Sequence, residues 1–281
     1  MLNKLLIIFI IIFNNFFLNY AYSDDQLNFD VSQIEVLEGG NKIIGKKRGT
    51  ITTNDGVIID ADEFEYDKIK NVLKAKGNIN VKDKANDYII NSENILYLKD
   101  QEKIQIKGKS SSLIFSNYNF KSENIIILRD KLILEANKPT TIIDKKNQTL
   151  YEIDKLSYSI KDEILKGEKI FINTKFNQPF SDNYFFKNAI FNLKDQSYIA
   201  KDIDINLKKD IFGNEENDPR FKGISASSKN GITTIDKGIF TSCKKSDKCP
   251  PWSVQAKKIT YDKNKKQVLY DSALIKVYDV P

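Results

Sequence analysis

The side chains able to do acid–base or covalent chemistry are few in this sequence and poorly placed for it. The 281-residue chain contains no histidine, which removes the commonest general base and the commonest transition-metal ligand. The carboxylates Asp60 and Asp62 could serve a β-helical glycan hydrolase as an acid–base pair, but they fall where the pattern reads as turn and wet strand face. The run Glu215-Glu216-Asn217-Asp218 lacks the alternating ligand spacing of a calcium loop and reads as a solvated acidic loop. Cys243 and Cys249 are the only thiols. Their Cys-x5-Cys spacing is not that of a redox pair, and without histidine they leave a zinc shell short. A local disulfide that pins a loop is one reading of the two. No cofactor or metal is expected, and no enzymatic activity.

What the sequence does organise is a repeated strand pattern. Gly56 to Lys82 reads GVIIDADEFEYDKIKNVLKAKGNINVK. Ile59, Ala61, Phe64 and Tyr66 mark a first strand, and Asp67 to Asn71 a polar turn. In the second strand Leu73, Ala75, Gly77, Ile79 and Val81 alternate with lysine and asparagine, the period-two signature of a half-buried strand. The sentence recurs. A small residue is followed three and five positions later by apolar ones: Ala61, Ser92, Ser122 and Ala256 head such units. Ile153 heads another, Lys187 a degenerate one, and Ala226 lies midway to the last. Repetition at about thirty residues marks a stacked architecture.

Within each unit the parity switches. Ile59 and Ala61 share one face of an extended chain, whereas Phe64 and Tyr66 share the opposite one. Keeping both pairs inside requires a bulge or corner between Ala61 and Phe64. Ile90 and Ser92 against Ile95 and Tyr97 repeat the switch, and no sustained helical stripe follows Asp24. The expected fold is all-β: an elongated β-taco or β-jelly roll of stacked bent hairpins, with an irregular sandwich as the alternative.

The net charge of +6 comes from 44 basic and 38 acidic residues. Arginine appears only at Arg48, Arg129 and Arg220, which argues against a nucleic-acid partner, since bidentate base and phosphate contacts favour arginine. Lys46-Lys47-Arg48 is expected in a solvated loop. At the N-terminus, Lys4 precedes an apolar run, and Ala21-Tyr22-Ser23 supplies small residues before Asp24-Asp25. This reads as a secretory signal peptide cleaved after Ser23, a permanent anchor being the alternative. Export places the thiols in an oxidising compartment. The expected organisation is a signal peptide over 1–23, an irregular lead-in with an edge strand over 24–53, repeats over 54–240, and a cysteine-containing segment over 241–281.

The unit A-D-x-Φ-x-Y-D…N-x-L-x-A-x-G-N-x-x-V at Ala61 to Val81 resembles the OstA/LptA-type β-jelly-roll module of the lipopolysaccharide transport bridge. Phe240 to Pro281 resembles the segment of the LptD (OstA) family that joins its periplasmic module to its outer-membrane barrel. The pieces are Thr241-Ser242-Cys243, Cys249, Pro251-Trp252, Ala256 to Ile259, Tyr270 to Ala273, and Val277 to Pro281. The resemblance implies a periplasmic module associated with the outer membrane that holds lipopolysaccharide acyl chains in an apolar β-groove. Groove candidates are Ile59, Phe64, Tyr66, Leu73, Ile79, Ile90, Ile95, Tyr97, Ile104, Ile125, Leu134 and Leu156; a dry core is their alternative. Implied partners are an LptA-like periplasmic bridge protein, an outer-membrane barrel and an LptE-like lipoprotein. The bridge protein would be received by β-augmentation at an N-terminal edge, either Val31 to Val36 or Ile51 to Ile59. The resemblance also implies that Cys243 and Cys249 pair with cysteines of the barrel, and Trp252 is expected to anchor the junction with it. The chain stops at Val280-Pro281, where the barrel of that family would begin, and is expected to be the module without it. An adaptor that docks partners without carrying lipid is the alternative function.

Overall fold

The computed structural model describes residues 27–246, 250–278 and 280; the expected signal peptide and Cys249 lie outside them. Among the described residues the chain forms twenty strands and three short 3-10 turns. The first strands are β1 Asn28–Leu37, β2 Lys42–Thr52, β3 Ile58–Ala61, β4 Glu63–Asp67, β5 Val72–Asp83 and β6 Tyr88–Leu98. Shorter ones follow: β7 Lys103–Lys107, β8 Ser112–Phe115, β9 Tyr118–Ser122, β10 Asn124–Leu128, β11 Ile133–Ala136 and β12 Thr140–Asp144. Then come β13 Thr149–Ser159, β14 Ile164–Thr174, β15 Asn183–Asn192 and β16 Ser197–Asn206. The last are β17 Arg220–Lys229, β18 Ile232–Thr241, β19 Trp252–Asp262 and β20 Gln267–Val277.

All pairings are antiparallel, and together they make one sheet folded along a crease. Long strands cross the crease, while short ones stop at it. Thus β5 pairs with β3 through residues 80–82 and with β4 through residues 72–76. β6 likewise pairs with β8 on one side of the fold and β7 on the other. The result is two facing leaves. One contains β3, β8, β9 and β12; the other contains β4, β7, β10 and β11. From β13 to β20 every strand runs through both.

The parity switch expected from sequence is this crease. Phe186 and Ala189 of β15, Ala200 and Ile203 of β16, and Ala256 and Ile259 of β19 are all buried, each pair separated by two exposed residues. Two outward residues in a row let inward positions stay inward past the bend. In β14, β16 and β18 the bend residues Lys169, Asp202 and Lys237 have φ of 48°, 49° and 48°. Opposite charges meet across it on the outer face, as in Lys169–Asp154 at 3.0 Å and Lys187–Asp202 at 3.6 Å. Small residues head the units because the leaves approach closest here. A Cβ added at Gly223 would lie 2.4 Å from Ile235 Cγ2, and one at Gly238 2.7 Å from Ile259 Cδ1.

Two anchors lie elsewhere than the pattern suggested. Lys187 and Ile190 are exposed, and Phe186, Ala189 and Phe191 take the inner positions. Gly223 rather than Ala226 occupies the crease of β17: it pairs with Ile203 as Phe186 does, while Ala226 and Ala189 both pair with Ala200. Outward isoleucines at 190 and 199 blur the alternation that would have set the phase. Lys46-Lys47-Arg48 lies in β2, not a loop; these residues sit at the crease, where Arg48 pairs with Asp62 at 3.0 Å. The boundaries expected after residues 53 and 240 do not interrupt the sheet, which runs unbroken from β1 to β20.

Candidate functional site

The interior between the leaves is one apolar cluster reaching from Ile51 to Tyr261. All twelve groove candidates belong to it. Ile90, Ile125 and Leu134 are fully buried, and Tyr66, the most accessible of the twelve, is 7% exposed. At rest these side chains fill the space between the leaves, packing as tightly as a protein core. Phe64 and Ile95 additionally border an outer-face hollow of about 420 Å³, edged by Lys46, Lys74 and Lys107.

The leaves part at the mouth opposite the crease, where the turns of each form a rim. A slit of about 490 Å³ opens there. Tyr118, Tyr151 and Tyr184 line it from one leaf, Phe191 and Tyr198 from the other, and Lys194 and Lys263 stand at its lip. None of these belongs to the sequence-derived groove set. A signal was present: Tyr118, Tyr151 and Tyr184 recur at an even interval, each within the first three residues of its strand. Burial keeps their hydroxyls protonated. It raises Tyr151 and Tyr184, with Asp182 adding to the effect at Tyr184, and pushes Tyr198 up to about 12. Tyr261, raised by burial and then by Asp182, carries a buried hydroxyl without a hydrogen-bond partner.

Two ionic clasps join the rims on either side of this slit. At the first, Arg129 reaches across to Asp55, lies 3.7 Å from Asp83, and pairs with Glu102 of its own rim at 2.9 Å. It also donates to the Tyr97 hydroxyl at 2.9 Å and stacks over that ring. Burial opposes ionisation of Asp55, but hydrogen bonds from Thr53 and Arg129 prevail and hold its carboxyl below the ordinary value. At the second, Lys263 Nζ lies 2.7 Å from Asp182 Oδ2, while Asp182 Oδ1 accepts the Lys208 amide at 2.9 Å. Asp182 is only 4% exposed.

The end strands have free edges. Among the described residues β1 pairs only with β2, and β20 with β19 apart from a single bridge between Val277 and Val280. β1 exposes Ile34 and Val36; β20 exposes Leu269, Leu274, Ile275 and Val277. Of the two expected N-terminal edges, only the Val31 to Val36 stretch is one. Ile51 to Ile59 is interior, since β2 is covered by β1 on one side and by β3 and β4 on the other.

The remaining candidates are engaged elsewhere. Asp60 accepts from Thr50 at 2.7 Å, and Asp62 from Asn78 at 2.7 Å as well as from Arg48. Within the acidic loop, Glu215 and Glu216 are exposed, and Asp218 accepts the Lys245 amide at 2.8 Å. Cys243 is half-buried, its Sγ 3.6 Å from the Trp252 carbonyl oxygen. Trp252 opens β19 and packs 6.0 Å from the Phe240 ring. No known protein family and no curated protein matches the chain.

Proposed function

We propose that this chain is an exported, periplasmic module of the machinery that carries lipopolysaccharide to the outer membrane. In this reading the interior between the leaves shields acyl chains from water. The free β1 edge receives an LptA-like bridge module, and the β20 end meets an outer-membrane barrel with its LptE-like lipoprotein. The observation that carries the reading is the unbroken apolar interior, enclosed by a folded sheet whose end strands each leave one edge free. Each methylene kept from water is worth about 0.8 kcal/mol, so a lipid with several tails crosses an aqueous space only inside such a cover. The interior is filled at rest, and loading therefore requires the leaves to part along the mouth.

Photo-reactive residues at Phe64 and Ile95 test this. The reading predicts covalent capture of lipopolysaccharide at both; folded protein that captures none contradicts it. A second reading, an adaptor that docks partners without lipid, draws on the same tight packing and the same free edges. Removing β1 abolishes partner binding under either reading, so only the lipid crosslink separates them.

A further inference from the structure

At the slit the interior meets solvent beside an ionic contact between the rims. The slit's volume falls within the roughly 300–1,000 Å³ of small-ligand sites. Its walls carry the rings of Tyr118, Tyr151, Tyr184, Phe191 and Tyr198, and Lys194 and Lys263 stand at its lip, an arrangement that suits an apolar chain below and a polar head above. Lys145 and Lys146 on one rim and Lys194 on the other are exposed around it, offering positive charge to an anionic head. The Asp182–Lys263 pair joins residues 81 apart in sequence across the mouth.

We propose that the slit between Tyr151, Tyr184 and Tyr198 is a side port for one hydrocarbon chain of an anionic amphiphile, with the Asp182–Lys263 pair as the clasp that sets its width. This rests on the transport reading and deepens it by naming where a chain enters and what holds the entrance. When the clasp opens, Lys263 is free to meet the anionic head, and the chain slides between the tyrosines into the interior.

The test is the association rate of cis-parinaric acid, whose fluorescence rises in apolar surroundings, measured by stopped flow on the whole chain. Asp182→Asn keeps an acceptor for the Lys208 amide but removes the clasp charge, and association should quicken several-fold. Tyr198→Trp narrows the slit without touching the clasp, and association should slow several-fold; this variant decides the matter if Asp182→Asn does not fold. Binding at an unchanged rate in the folded variants overturns the port while leaving the transport reading intact. Failure of the native chain to bind the probe, with lipopolysaccharide still captured at Phe64, also overturns the port alone. Failure of both overturns the port and the transport reading together.

Discussion

A methyl group added at Gly223 would stand 2.4 Å from Ile235 Cγ2, so at the crease even alanine overfills the space. Gly223→Ala is expected to destabilise the protein by about 1–3 kcal/mol, the usual cost of overpacking, read as a lower urea midpoint. At the first clasp, Arg129→Met takes from Asp83, 2% exposed, its one salt-bridge partner among the described residues. The expected loss is on the order of 3 kcal/mol, as for other broken buried pairs. Its pH dependence follows from Asp55, whose carboxyl is held below the ordinary value in the folded state. That contribution is present at neutral pH and disappears as pH falls through the lowered value. The stability gap between native and Arg129→Met chains, measured by urea titration, should therefore narrow below about pH 4. The interior tyrosines act in the opposite direction. The unfolded chain loses phenolic protons from about pH 10, whereas folded Tyr198 holds its proton to about 12. Stability should thus fall as pH rises across that window, tracked by urea midpoints in alkaline buffer. At this scale the sequence was readable for burial: all twelve groove candidates lie inside. The mouth was legible only in part: the even spacing of Tyr118, Tyr151 and Tyr184 could be read, but that Phe191 and Tyr198 face them follows only when turns distant in the chain are brought rim to rim.

The strands were legible through their parity. Two polar residues between inward positions appear as Glu93-Asn94 in β6 and Lys257-Lys258 in β19, and in both the bend falls there. Phase was lost where apolar residues face outward. Ile190 is 47% exposed, and it drew the unit heading to Lys187 instead of Phe186. Lys46 to Arg48 was misplaced for a related reason, since three consecutive basic residues look like loop until one sees that strand bends put adjacent residues on the outer face. The bends carry a testable strain. Lys237 adopts φ of 48°, a conformation that costs a residue with a Cβ roughly 1–2 kcal/mol and glycine almost nothing. Lys237→Gly should therefore raise the thermal midpoint; a lower midpoint would mean that the lysine stem packs more productively than its backbone suggests.

Over the whole molecule, the all-β folded sheet was legible because one short pattern repeats and each copy makes the same bend. The boundaries were less so: the lead-in and the cysteine-containing segment differ in composition from the repeats, yet their strands continue the same ladder. The clasps were invisible for a simple reason, as Asp182 and Lys263 lie 81 positions apart and nothing local marks either. They are where the transport account is most exposed, since a filled interior admits several acyl tails only if the rims separate. The most direct measurement is the distance across the mouth, by pulsed electron paramagnetic resonance between spin labels at Lys146 and Lys194. The account predicts that the distance lengthens when lipopolysaccharide is added; an unchanged distance in protein that has demonstrably bound the lipid would contradict it.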